Sequence, residues 1–207
     1  MPESPSEAPT KRRTQAERRA ASRAALLDAA LAVLIEEGYA ALSTRNVAER
    51  AGVSQGTQMH YFPTRARFLG EAVRHVAFKL ATEVREQDEL RARSERRRLE
   101  ELLERVWEIH TGPVFQATME LWVAARTDPE LRAEMDEVQR DVTRMVGRLA
   151  AELLPDLMAR PHAGEVLDLG MATMRGLAML RFTSDPADVE RRWRRARAYL
   201  LGLYERE

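Results

Sequence analysis

The chain has 207 residues, 33 basic and 33 acidic side chains, 44% apolar and 6% aromatic content, and no cysteine. It is long enough to bury a core in one or two domains, and the absence of cysteine excludes disulfides, thiolate metal centres and a cysteine nucleophile. Ala, Glu, Lys, Leu and Arg supply 112 residues while isoleucine occurs twice, a mix that favours an all-α fold over strands.

Residues 1–12, rich in Pro, Ser and Glu, cannot bury apolar area and are expected to form a disordered tail. The opening segment lacks the apolar run of a signal peptide, and no stretch approaches the ~18 apolar residues of a membrane span, so a cytoplasmic protein with no membrane partner is expected. Ala20, Ala24, Leu27, Leu31 and Leu34 recur at steps of four and three, which predicts an amphipathic helix over 14–37 ending at Gly38. Ser43 or Thr44 can cap a second helix carrying Val47, Ala48 and Ala51, with Gly52 as its stop. Ser54 can cap a third, short helix whose Met59 and Phe62 pack back, and Pro63 ends it. Two short helices joined by a glycine-containing turn describe a helix-turn-helix, here predicted over 13–63 as a three-helix domain. From residue 11 to 70 there are ten basic and five acidic side chains, against 23 and 26 from 71 onward. A cationic front on a mildly anionic body suits a polyanion partner.

This segment resembles the TetR family of bacterial transcriptional repressors. The resemblance is carried by the run Ser43-Thr44-Arg45-Asn46-Val47-Ala48-Glu49-Arg50-Ala51-Gly52-Val53-Ser54, then Gly56-Thr57, then His60-Tyr61-Phe62-Pro63. A second stretch, Glu120 to Arg132, looks like the C-terminal domain of one branch of the family. Two positions depart from the family's pattern: Gln58 stands where an apolar residue is more common, and Met59 where tyrosine is. The resemblance implies an all-α homodimer with an N-terminal DNA-binding domain, a larger domain for ligand and dimer contacts, and double-stranded operator DNA as partner.

A recognition helix presents its N-terminal side chains to base edges, which assigns the reading role to Gln55, Thr57 and Gln58, beside the cap Ser54. Arg45, at the start of the preceding helix, is a candidate for guanine or phosphate. Thr44, His60, Tyr61 and Arg65 match family positions that commonly touch the DNA backbone, although Tyr61 would also serve to pack under the domain.

Residues 64–207 are predicted as the larger helical domain. Leu69, Val73, Val76, Leu80 and Val84 mark one continuous helix from Thr64 to about Gln87, a lever with Phe68 and Leu69 seated on helix one and Leu80 and Val84 toward a pocket. The arginine-rich run 91–105 interleaves glutamates and reads as a solvated face with i,i+4 pairs. Thr111-Gly112-Pro113 breaks the pattern, Asp128-Pro129 opens a helix reaching Leu154, and Asp185-Pro186 opens the last helix.

No phosphate-binding glycine loop, nucleophile elbow or HExxH spacing occurs, so an enzyme is the least expected reading, and no cofactor or metal is implied. His75 and Glu71, four apart on one helix, read as an ordinary surface or core pair. Trp107, His110, Phe115, Met119 and Trp122 gather across the helix break, with Met174 on a later helix and His110, Thr118 and Arg175 as polar anchors. They would serve as plain core or as an adaptable pocket; the resemblance implies the pocket, and a lining with so few polar anchors suits an apolar or amphipathic effector. In the last helix Val189, Trp193, Ala196, Leu200 and Leu203 form a continuous stripe, and Leu167, Met171 and Leu177 form another before it. These two stripes are the expected homodimer interface. The alternative is a helical DNA-binding or interaction protein with no small-molecule effector.

Overall fold

The computed structural model describes residues 14–87 and 92–206, so the tail expected over 1–12 lies outside the described residues. Those residues form helices and no strands. Helix α1 (Gln15–Glu37) opens on a capping box, in which the Thr14 hydroxyl accepts from the Glu17 N–H while the Glu17 carboxylate accepts from the Thr14 N–H. Gly38 closes it, and a single 3₁₀ turn (Tyr39–Ala41) follows. Helix α2 (Thr44–Ala51) is capped by Ser43 and ends at Gly52, whose φ of 66° lies in the left-handed region that a side chain resists. Ser54 caps α3 (Gln55–Tyr61), which Pro63 prevents from continuing.

Thr64 caps α4 (Arg65–Arg85), and α5 (Glu95–Thr111) turns at Gly112 into α6 (Pro113–Ala125). Asp128 caps α7 (Pro129–Leu153), and one turn, α8 (Pro155–Met158), leads to α9 (Ala163–Leu180) and α10 (Pro186–Arg206). The arginine-rich face of α5 is ion-paired as its spacing suggests, with Arg96 and Arg97 on Glu100 at 3.0 and 3.1 Å.

The first hydrophobic core does not stop at Pro63. Leu26, Leu27, Val33 and Leu34 of α1, with Val47 of α2 and Phe62, pack with Phe68, Leu69 and Ala72 of α4 and continue into Leu121 of α6 and Leu131 of α7. A second core sits between α5, α6, α9 and α10 around Trp107 and Trp193, whose rings stack at 4.8 Å. Helix α4 lies close along α7 because Gly70 faces Glu134: a Cβ at Gly70 would overlap that side chain. Arg74, one turn further, bonds Glu134 at 2.5 Å and Asp141 at 2.7 Å, with Glu71 and Glu137 at 3.8 and 3.6 Å. Glu71 also holds Arg23 of α1 at 2.5 Å, and His75 pairs with Asp28 rather than Glu71. Among the described residues no helix is long and apolar enough to cross a membrane.

Candidate functional site

Helices α2 and α3 expose one continuous edge. Thr44 and Arg45 at the start of α2, and Ser54, Gln55 and His60 of α3, are exposed, and Thr57 is half-buried with its hydroxyl 2.9 Å from the Ser54 hydroxyl. Arg45 is exposed and lies 3.6 Å from Glu49, one turn along α2. Arg65 is exposed but tethered, since its guanidinium donates to the Tyr39 carbonyl at 3.2 Å and lies 4.5 Å over the Tyr39 ring. Tyr61 is half-buried against the first core.

Two neighbouring residues of α3 change places relative to expectation. Met59 is 67% exposed instead of packing back, and Gln58, expected to read bases, is 5% exposed, with its Oε1 lacking a hydrogen-bond partner. The inward face of α3 is thus Gln58, Tyr61 and Phe62, an i, i+3, i+4 set that seats on Leu42 and Val47. Hydrophobicity alone picked the wrong member of an adjacent pair in a helix of seven residues, too short to display a period.

The second feature is a cavity of about 190 Å³ enclosed by α4, α5, α6, α7 and α9. Of the expected lining, His110, Phe115, Thr118, Met119, Trp122 and Arg175 are present, and α4 contributes Val76, Leu80 and Val84. Trp107 and Met174 are not part of this lining: both belong to the second core, where the Trp107 indole donates to Glu190 at 3.0 Å. The same core also holds Val189 and Trp193, both expected at the interface, which are 0% exposed within one copy of the chain. Leu177, Ala196 and Leu200 are half-buried against it, and Leu200 packs toward Gly170. Met171 and Leu167, also expected at the interface, are half-buried and line cavities of the single copy. Leu203 alone of that set is exposed, at 38%. The apolar surface left open on α9 and α10 comprises Leu169, Ala172, Met179, Tyr199 and Leu203.

Among the lining residues the sequence did not single out is Gln139 of α7, whose polar side chain sits among valines and gave no local signal. His110 donates Nδ1–H to the Val106 carbonyl at 2.8 Å, and burial first, then the nearby Arg175 charge, hold its pKa below the usual histidine value. Helix α6 also reaches back to the N-terminal unit: Glu120 accepts from the Tyr39 N–H at 2.6 Å. No group of three or more His, Asp or Glu side chains able to hold a metal ion occurs among the described residues.

Comparison with known proteins agrees with this geometry. Residues 26–72 match the family described as "Bacterial regulatory proteins, tetR family". The HTH-type transcriptional regulator CymR of Pseudomonas putida is 34% identical over 175 residues, covering 82% of this chain and 83% of that protein. The structure of a transcriptional regulator from Rhodococcus sp. Rha1 superposes with a TM-score of 0.67 at 25% identity, over 88% of this chain and 95% of that one. The multidrug binding protein EbrR in complex with ethidium gives 0.59 at 26% identity, over 86% and 98%.

Proposed function

Because this chain belongs to the TetR family of bacterial regulatory proteins, a family of DNA-binding transcriptional regulators rather than enzymes, we propose that it is a cytoplasmic, homodimeric repressor released from a palindromic operator by a small apolar or amphipathic effector. The observation that carries the effector reading is the double duty of α4: Phe68 and Leu69 sit in the core under the α2–α3 edge, while Val76, Leu80 and Val84 line the cavity. A ligand that favours a different α4 position moves both copies of α3, and two copies fit successive half-sites only near one DNA turn, about 34–36 Å.

In this reading Gln55, Thr57 and Met59 face the bases, while Thr44, Arg45, Ser54, His60, Tyr61 and Arg65 hold phosphates. The homodimer forms through the open face of α9 and α10. Leu169 and Met179 are exposed in the monomer, at 54% and 49%, so Met179→Arg spares the core and is expected to yield monomers in sedimentation. A dimer that survives Met179→Arg together with Leu169→Arg moves the interface elsewhere. The function is tested by footprinting the full chain on DNA upstream of its own reading frame, with and without cell extract. Two protected half-sites one turn apart, lost with extract, support the proposal; no protection overturns it.

A further inference from the structure

The cavity is almost wholly apolar, yet one charge stands in its wall without an ion pair among the described residues. His110 spends its Nδ1–H on the Val106 carbonyl, and the Thr118 hydroxyl donates to the Val114 carbonyl at 2.8 Å. Neither has a donor left for a ligand. Arg175 differs. The Gln139 amide is oriented with its oxygen toward the guanidinium, since the reverse would set donor against donor, and that oxygen accepts from the two terminal nitrogens at 3.0 and 3.1 Å. The Trp122 ring lies 5.6 Å from the guanidinium carbon and covers one face of it. Asp168 acts on the charge only from beyond ion-pair distance, and no described carboxylate pairs with it. The guanidinium thus keeps several unspent N–H donors and a full charge.

Its position is equally specific. A second cavity of about 330 Å³, lined in part by Thr143, Asp168 and Ala172, adjoins the first, and Arg175 and Gln139 belong to both walls. A head group held by the guanidinium therefore stands where the apolar cavity meets the more polar one. We propose that the effector is an organic monoanion, a carboxylate on a short aryl or alkyl body, with its head group on Arg175 and its body against Phe115, Met119 and Trp122. Guanidinium and carboxylate match as a two-pronged, charge-assisted pair, which desolvation strengthens. A single charge is favoured because burial holds His110 neutral and leaves one cation for the head group. The apolar cavity, below the roughly 300–1,000 Å³ of ordinary ligand clefts, suits a small body. The inference rests on the reading of this cavity as the effector site.

The test titrates the full-length protein with phenylalkanoates from phenylacetate to 5-phenylpentanoate, alongside the alcohol and the amine of each body, by calorimetry at pH 7.5 and fixed salt. The best carboxylate is expected to bind about 10–100-fold more tightly than its alcohol, with the amine weakest. Arg175→Gln should bring the carboxylate down to the level of the alcohol, and Arg175→Lys should retain part of the preference. Equal affinity of acid and alcohol, or a preference that survives Arg175→Gln, overturns the proposal while leaving the cavity as an apolar site. So does an Arg175→Gln protein that sediments as a monomer with its preference intact, which would give the guanidinium to the dimer interface. Met119→Trp fills the apolar cavity and is expected to abolish binding of all three head groups. A carboxylate preference undiminished in Met119→Trp overturns the cavity reading instead, and binding of no compound in the series overturns both.

Discussion

Arg74 and Arg175 are both carried into the helical body on long helices, and their surroundings are opposite. Around Arg74, four carboxylates of α4 and α7 stand within 3.8 Å. Burial penalises that guanidinium, but the hydrogen bonds it donates to Glu134 and Asp141, with their charges, outweigh the penalty, so its pKa stands above the usual arginine value. Around Arg175, burial dominates and the distant Asp168 recovers only part of the loss, so its pKa stands below that value. One cation is satisfied by its own fold and clamps two helices; the other is left to be satisfied by something that arrives. The same residue type is a clamp between α4 and α7 at one position and an unpaired cavity-wall cation at the other, and the neighbouring carboxylates decide which.

The sharpest way to break this contrast is to remove both charges. Arg74→Met leaves Glu134 and Asp141 facing each other and should cost roughly 2–4 kcal/mol, less than a fully buried pair because solvent reaches Asp141. Arg175→Met, without effector, should be neutral or stabilising, since it deletes an uncompensated charge. Urea unfolding at one fixed protein concentration compares them, and equal losses would show that Arg175 has a structural counter-charge after all. Next in size, Gly70→Ala should displace the Glu134 side chain and cost about 1–3 kcal/mol. The same change in a Glu134→Ala background should cost much less, so additivity in that cycle would mean the helices part for another reason.

Smaller effects sharpen the comparison at other buried polar groups. Gln58→Leu replaces an orphaned amide by an apolar side chain of similar size and should raise stability by about 1 kcal/mol. A changed operator base preference in that variant would instead return the side chain to the DNA. His110 contributes a pH dependence. Its folded pKa is depressed, so below its ordinary value of 6.5 the unfolded chain binds a proton that the folded chain refuses, and stability falls as pH drops through that window. The slope from one proton is at most about 1.4 kcal/mol per pH unit. Urea midpoints between pH 7.5 and 5 should show it, and His110→Gln should remove its share of it; an unchanged slope assigns the dependence to other groups.

The helix boundaries were legible because caps are local chemistry. Ser43, Ser54, Thr64 and Asp128 each accept the N–H three residues on, a bond whose two ends lie within one turn of sequence. Gly52 and Pro63 likewise act on their own turn. What an apolar stripe packs against is not local. Val189 and Trp193 form a correct helical face, but their partner is Trp107, more than 80 residues earlier in the chain, so sequence could not separate a core within one copy from an interface between two. Trp107 was misplaced for the same reason. The cavity emerged in part because Phe115, Met119 and Trp122 share one short helix, whereas Gln139 reaches Arg175 from a distant one.

The central claim is that occupancy of the cavity and grip on the operator are coupled through α4, and one titration tests it directly. Operator affinity of the whole chain is measured with and without a saturating amount of the phenylalkanoate that binds most tightly. Coupling of the usual size predicts operator binding about 5–150-fold weaker with the compound present, and by reciprocity compound binding weaker by the same factor on the operator complex. An operator affinity identical with the cavity full and empty would contradict the claim.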